Sequence, residues 1–426
     1  MSVNYSIEDA EKQYMHDFIK DIIDKFGPRM PGCESETAAA EYIKEEMSKY
    51  CTEAHTEKFK FHPRAFLGWI KIVIGLVAVS VILYLLLPFI TSDAIMEMLL
   101  ISASVVLNAI AFIIMWKQFF SYDEFIDKLF KETESLNAVG TIKPKGETRR
   151  LIIFSGHHDS ARQFNLLKWM KHGYAIVIFL GLGFMFLWML LSVLSLGLGI
   201  FGFNGMFFYN FIKWLFFILG IPCLILLAFF IWPGDRANTV PGAVDNLSAV
   251  AVILGLARYL KEHPDQIPES TEIRIISFGC EEAGLRGAYR YVEQHLEELK
   301  RLKAEVVNMD MVYDPENLNI FVKESTTRTK HSPKVIDKLK QAGNITSTPI
   351  REFGINSLEK FVGTISGGTD AAAFSKAGID AANFGTIDLT HVVRYYHQPE
   401  DDIDQINKDA LENAVKILIG YLQVSK

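Results

Sequence analysis

The sequence predicts an α/β fold, a mainly parallel mixed sheet sandwiched by helices and interrupted by four transmembrane helices in two hairpins. Three observations predict it. The polar segments alternate short apolar strands with amphipathic helical periods, the pattern of a sheet buried on both faces. Four apolar runs of 19 to 30 residues carry no charged side chain, and about 20 such residues span ~30 Å of hydrocarbon as a helix. The 426-residue chain is 50% hydrophobic, with mean hydropathy +0.18, too apolar for an ordinary soluble domain.

The runs cover 72–90, 98–116 (broken by Asn108), 174–203 and 214–232. Each pair has a short connection, so the hairpins occupy 67–117 and 174–233. The polar parts, 1–66, 118–173 and 234–426, then form one domain in three pieces. The first 65 residues are polar, so no cleavable signal peptide is expected. Phe201, Phe203, Phe207, Phe208, Tyr209 and Phe211 at the second tip resemble an interfacial aromatic belt. Lys58, Lys60, Arg64, Lys71, Lys117, Lys128, Lys131, Arg162, Lys168, Lys171 and Arg236 flank the spans on the side of the termini, against Lys213 alone at the tips. Positive charge favours the cytoplasmic side, which places both termini and the polar domain there.

Within the polar pieces, 7–49 reads as helix broken at Gly27-Pro28-Arg29-Met30-Pro31-Gly32, and 55–61 alternates like a strand. Buried strands are expected at 150–155, 272–278, 305–312, 318–323 and 381–385. Helices are expected at 248–261, 285–303, 332–341, 369–376 and 404–424. A formal charge of -7 without a basic run gives no footprint for nucleic acid, which is excluded as a partner. Cys33, Cys51, Cys223 and Cys280 lack the spacing of a thiolate zinc site or a disulfide scaffold.

In such sheets chemistry sits in the loops leaving the carboxyl ends of strands. There the sequence offers His157-His158-Asp159, with His157 and Asp159 on one face of an extended chain. Alone, that pair is a weak signal, and a surface or core histidine is the better reading of it. Asp245 stands at a loop-to-helix junction, where an N-cap is the plain alternative. Glu281 and Glu282 are adjacent acids at a strand end, which repel unless cations or solvent compensate. Asp310 sits inside the apolar run VVNMDMV, where a lone charge is expensive to bury. His397 lies in a loop ahead of Asp401. Two imidazoles, three carboxylates and a spare glutamate suit two Zn²⁺-like ions sharing one carboxylate and a water.

The order H-x-D, G-A-x-D-N-x-S, E-E-x-G-x-x-G, a later Asp, G-T-D-A-x-x-F-x-x-A-G-I and Y-H-x-P-x-D resembles metallopeptidase family 28. That family holds di-zinc aminopeptidases, glutamate carboxypeptidases and glutaminyl cyclases. The stretch from Gly27-Pro28-Arg29 to Tyr42 is similar to its opening helix motif. The resemblance implies a di-zinc aminopeptidase-like fold and two Zn²⁺, or other divalent metals in their place. Asp245 would bridge them, with Glu282 and His397 completing one site and His157 and Asp310 the other. Glu281 would be the general base acting on a metal-bridging water. Asp159 would orient His157, Asp370 would support or cap a helix rather than ligate, and Asp401 would stand behind the ligands. Tyr396 would face the site, and Arg394 is the nearest cation for a substrate carboxylate. His158 stands where the family often has Tyr, and Ala371 replaces a common His.

The implied function is a membrane-embedded zinc aminopeptidase acting on peptides, membrane-associated ones among them, with the lipid bilayer as its other partner. A carboxypeptidase, a dipeptidase or an amidase on lipid-linked amino acids is the alternative, and a non-catalytic receptor or assembly subunit the next. The 88 positions between His157 and Asp245 depart from soluble relatives, and the excess is the second hairpin. Only 13 positions separate Trp232 from Asp245, at most on the order of 45 Å of chain. An active-site mouth facing the bilayer and a simple anchor both fit that distance.

Overall fold

The computed structural model describes residues 9–90, 93–201, 207–231, 238–348, 350–354, 367–387 and 394–426. It divides into two units, one made of Met1–Pro63, Lys131–Gln163 and Ala237–Lys426, the other of Arg64–Phe130 and Phe164–Arg236.

The first unit is built on an eight-stranded sheet: β1 (Glu53–Phe61), β2 (Thr133–Ile142), β3 (Arg150–His157), β4 (Thr271–Phe278), β5 (Glu305–Met309), β6 (Leu318–Phe321), β9 (Arg351–Phe353) and β10 (Asp380–Thr386), in the order β1-β2-β4-β3-β5-β10-β6-β9. A two-residue ribbon, β7 (Lys323–Glu324) with β8 (Thr329–Lys330), lies outside it. The four central strands, β4, β3, β5 and β10, are mutually parallel, and antiparallel pairing joins β1 to β2, β2 to β4 and β10 to β6. Alternation along each central strand feeds two layers. Ile152, Phe154, Ile273, Ile275, Val307 and Phe384 pack with helices Asp9–Phe26, Glu34–Tyr50, Ser248–Glu262, Pro333–Ile345 and Lys408–Val424. Leu151, Ile153, Ile276, Phe278, Val306 and Ala381 pack with Arg286–Arg301 and Ala371–Lys376. The fold is thus the expected mixed α/β sandwich.

Two strands differ from expectation for physical reasons. β2 is not marked by apolarity, because between Leu136, Ala138 and Ile142 it buries polar side chains that are hydrogen-bonded: Asn137 donates to the Gly287 carbonyl and accepts from the Gly279 amide, and Ser135 donates to Glu36. β5 stops at Met309 rather than running to 312, since Met311 takes a left-handed φ of +61° and turns the chain. Asp310 therefore leaves the sheet at its carboxyl edge.

The second unit contains helices Ala65–Ile90, Ala94–Met115, Gly173–Ile200 and Phe207–Ala228. Windows 65–86, 95–120 and 173–200 are long and apolar enough to cross a membrane, and only 33% of each is buried. Residues such as Val79, Ile82, Val106, Ile110, Leu190 and Leu194 are exposed, a costly arrangement in water. Of the run expected at 214–232, Phe217–Ala228 is apolar helix, while Trp232 lies outside the described residues, as do Phe203 and Arg236. A fourth long apolar window, 243–262, is 89% buried within the first unit, so it is a core helix. Asn108 forms the polar centre of the second unit. Its side-chain amide lies 2.7 Å from Ser80 Oγ, 2.9 Å from the Ser104 carbonyl and 3.1 Å from Ser192 Oγ, joining three helices.

At the end of β5 opposite Asp310, Glu305 is buried and accepts from Lys338 (2.7 Å), Lys334 (2.9 Å) and Tyr421 (2.7 Å). Burial alone would raise its carboxyl, but these partners hold it down at about 2. A depressed acid stabilises the fold above its unfolded pKa, and that stability is lost as pH falls through the folded one. Glu305→Gln should therefore cost on the order of 2 kcal/mol at neutral pH and flatten the loss of stability between pH ~4.5 and ~2. Denaturant melts across that pH range check it, and parallel curves for both proteins would contradict the account.

Candidate metal centre

The carboxyl ends of the central strands deliver the acids and histidines of the sequence pattern to one place. His157 is the last residue of β3 and is buried. Its Nε2 lies 3.2 Å from Asp245 Oδ1, and its Nδ1 faces Asp159, 3.2 Å from the carbonyl and 3.4 Å from Oδ1. His158 turns away, its Nδ1 2.9 Å from Ser277 Oγ. Burial lowers its pKa to about 4, so it is a neutral core histidine.

Asp245 lies in the segment Ala243–Leu247 ahead of the 248–262 helix. Its two oxygens point to different histidines, Oδ1 to His157 and Oδ2 to His397 Nε2 at 3.3 Å. His397 Nε2 is also 3.2 Å from Glu282 Oε1. Asp401 holds this loop from behind, accepting from the Val244 amide at 2.6 Å and the Asp245 amide at 3.3 Å.

Beyond β4, a turn with left-handed Cys280, Gly284 and Leu285 presents Glu281 and Glu282. Asp159 accepts from both of their amides at 3.0 Å. It therefore fixes this turn as well as facing His157. Glu281 Oε2 lies 3.8 Å from His157 Nε2. Asp310, just past β5, is set by Asn246, which donates to the Met309 carbonyl and accepts from the Met311 amide, while Ser248 accepts from the Val312 amide.

Ligand atoms of His157, Glu281 and Asp310 lie within 4.8 Å of one another, and so do those of Asp245, Glu282 and His397. His157 Nε2, Glu282 Oε1 and Asp310 Oδ1 are buried without a hydrogen bond among the described residues. Orphaned donors of this chemistry, converging from the ends of three strands, fit divalent cations.

The charges agree with that fit. Burial pushes Glu281 well above the usual carboxylate range, and Glu282, Asp370 and Asp310 push the same way while His157 opposes. Asp310 is raised by burial and then by Asp245. Burial would lower both histidines, yet Glu281, Asp159 and Asp245 raise His157, and Glu282 and Asp245 lift His397 to about 10. Asp245 is the exception: burial raises it, but His157 and His397 together pull it below its ordinary value. Without cations, the pocket holds its acids apart by keeping protons.

The peripheral residues are placed less uniformly. Asp370 precedes the Ala371–Lys376 helix but makes no side-chain cap bond, which corrects the capping expectation. Both its oxygens are buried without a hydrogen bond among the described residues, and burial raises it to about 8. Tyr396 stacks on the His397 ring, centroids 3.9 Å apart. Arg394 is exposed and lines a cavity of about 300 Å³ with Asp314, Tyr395 and Asn407. Sequence reasoning missed Asn246 and Ser248, although both stand in the D-N-x-S motif. It also missed Glu36, which accepts from Ser135 and Cys280 directly behind the glutamate turn, and Glu324, which accepts from Thr369 beside Asp370.

Residues 233–422 match the family model for peptidase family M28. Over 187 residues the chain is 37% identical to aminopeptidase YwaD of Bacillus subtilis, covering 42% of this chain and 37% of the relative. It is 33% identical over 131 residues to a probable zinc metalloprotease of Pyrenophora tritici-repentis, covering 29% of each. The chain thus spans about a third of the length of these relatives. Among solved structures, a zinc aminopeptidase of Bacillus subtilis aligns over 97% of this chain and 94% of its own at 18% identity, TM-score 0.55. A glutaminyl cyclase of Fimbriiglobus ruber aligns over 99% and 98% at 11% identity, TM-score 0.55. These likenesses bear on the fold, and the M28 segment contains Asp245, Glu281, Glu282, Asp310 and His397.

Because Asp245 faces both histidines, Asp245→Asn should weaken cation binding at both candidate ligand groups together. Metal analysis of the purified variant checks this. Loss of one equivalent with the other held at wild-type affinity would refute a shared carboxylate.

Proposed function

We propose that the chain is a membrane-embedded M28 metallopeptidase that removes N-terminal residues from peptides, using two divalent cations, zinc by analogy with its relatives. The observation that carries the reading is the division of Asp245 between His157 and His397, with Glu281 set beside His157. His157 and Asp310 would hold one cation, Glu282 and His397 the other, and Asp245 both. Cations held there would acidify a water and polarise the scissile carbonyl.

The protein's own residues do the rest. Glu281 takes the proton of the attacking water and hands it to the leaving amine, a transfer worth about 10²–10⁴-fold. Asp159 keeps that carboxylate in place through the Glu281 and Glu282 amides, and orients His157. Asp401 does the same for Asp245. The surplus of buried acid, Asp370 included, suits a substrate that brings an ammonium end. Arg394, the candidate clamp for a carboxylate, is exposed and shares its cavity with Asp314, which favours the aminopeptidase over the carboxypeptidase reading. The name of the relative YwaD points the same way.

The apolar helices of the second unit form two hairpins, 67–117 and 174–233, inserted in a catalytic domain of 1–66, 118–173 and 234–426. Their exposed faces support a bilayer as the partner. Flanking lysines and arginines support cytoplasmic termini and a cytoplasmic catalytic domain.

The test is hydrolysis of aminoacyl-arylamides, N-blocked peptides and an N-acyl amino acid by detergent-purified protein, with Zn²⁺ and with chelator. We expect cleavage of the free-amine substrates alone, abolished by chelator. Glu281→Gln should retain its metals and lose about 10²–10⁴-fold in rate. Near-full activity in that variant would contradict the general base. Cleavage of the blocked or acylated substrates instead would move the chain to the carboxypeptidase or amidase reading, and metal-bound protein inert to the panel would favour a receptor.

A further inference from the structure

The loops that carry His157 and Asp245 are tied together by a residue that bonds to neither ligand side chain. Arg29 follows the helix Asp9–Phe26, far from them in sequence, and is fully buried. Its guanidinium spends its donors on three main-chain carbonyls: Nε on His158 at 2.8 Å, Nη1 on Gly27 at 2.7 Å and Nη2 on Gly242 at 3.3 Å. Its backbone is locked to the same loop from both sides, the Arg29 amide donating to Ser160 Oγ at 2.8 Å and the Ser160 amide to the Arg29 carbonyl at 3.0 Å. His158 and Ser160 flank Asp159 in the loop that begins at His157. Gly242, with φ of +67°, opens the segment that carries Asp245. A Cβ at that glycine would lie 2.8 Å from the Asp245 carbonyl and 3.1 Å from Arg29 Nη2, so the three groups are in close packing.

We propose that Arg29 is a positioning residue that sets the spacing between the 157–160 loop and the 242–247 loop, and through it the affinity of the centre for its second divalent cation. The inference rests on the two-metal reading above. Guanidinium geometry is what the role requires. Its planar fork reaches carbonyls on separate segments at once, whereas an ammonium is a point charge on a flexible stem. A small error in the spacing moves His157 relative to Asp245, and in the two-metal reading these two ligands share one of the cations. The charge adds to the geometry. Arg29 is attracted to Asp401 and Asp159, the two acids behind the ligand loops, and it keeps its proton although burial lowers it to about 10. Loss of groups that orient metal ligands costs about 10–100-fold in metal affinity.

The experiment is Co²⁺ titration of metal-free, detergent-purified full-length protein, read by visible absorption and by bound-metal analysis, alongside thermal unfolding of the metal-free form. Wild type, Arg29→Lys and Arg29→Met are compared. Wild type should bind two equivalents. Both variants should retain the first and bind the second at least tenfold more weakly, with a changed absorption band, and Lys should do no better than Met. A merely structural role predicts a lower unfolding temperature with two equivalents bound at wild-type affinity and an unchanged band. That result, or full recovery by Lys, overturns the proposal. If neither variant folds, Ser160→Ala decides, because it removes the bond that locks the Arg29 amide. It should weaken the second equivalent about threefold, and wild-type binding there overturns the proposal too. Wild type binding fewer than two equivalents would instead overturn the two-metal reading, and this inference with it.

Discussion

The first unit is arranged around a concentration of buried negative charge. Asp159, Asp245, Glu281, Glu282, Asp310, Asp370 and Asp401 gather at the carboxyl ends of β3, β4, β5 and the approach to β10, with two imidazoles among them. Carboxylates this close cannot all ionise in a medium of low dielectric. In the metal-free protein the conflict is met by protons on the raised acids and histidines. Cations meet it in another way, since they replace those protons by fixed positive charge. The same constraint explains why the site is so heavily buttressed. A cluster that repels itself must be held by something other than its own contacts.

The buttresses are mostly main-chain hydrogen bonds. Asp159 accepts the amides of Glu281 and Glu282, and Asp401 those of Val244 and Asp245. Asn246 and Ser248 fix the turn that releases Asp310 from β5. Each bond joins the loop of one ligand to the loop of another, so the ligands form a ring of mutually dependent segments. Polar networks of this kind are stable only when every member is satisfied. Here the members left over point inward, to the place where cations are expected.

The sequence carried the sheet and the ligand constellation because both leave local marks. Short apolar runs mark β3, β4 and β10, and acids or histidines soon after such strands mark loops where charge is wanted. The 53–61 strand and the helix beginning at Ser248 were equally visible. β2 was not, because Ser135, Asn137 and Gly140 are buried by hydrogen bonding and close packing rather than by apolarity. The end of β5 was misread because VVNMDMV looks like one strand, and only the bonds from Asn246 and Ser248 turn it. For Asp370 the resemblance implied support or capping, and of these the capping is absent, since its side chain accepts no helix amide. Hydropathy itself is ambiguous in this chain. The window 243–262 is long and apolar enough for a span, but its mean hydropathy of 1.4 against 2.6 for 173–200 and its burial within the first unit set it apart.

Two apolar insertions interrupt a domain whose ligands must meet within about 3 Å, and the points of insertion explain how this is tolerated. The first leaves after β1 and returns at β2, and Phe61 is paired directly with Thr133 in that antiparallel ladder. It therefore occupies the position of a hairpin connection, and the register of the sheet does not depend on its length. The second leaves at Gln163 and returns at Ala237, and Gln163 is hydrogen-bonded to Thr239 at 2.9 Å, so its two ends are pinned together. Loop closure grows only logarithmically, about 0.6 kcal/mol for each doubling of length. A folded insertion with adjacent ends costs less still. What such an insertion does threaten is the alignment of His157 with Asp245, which stand on either side of it. That alignment rests on the bonds from Arg29 to the carbonyls of His158 and Gly242, which come from a third segment outside both insertions. Chain length can therefore vary between the two ligands while their spacing is held from elsewhere in the fold.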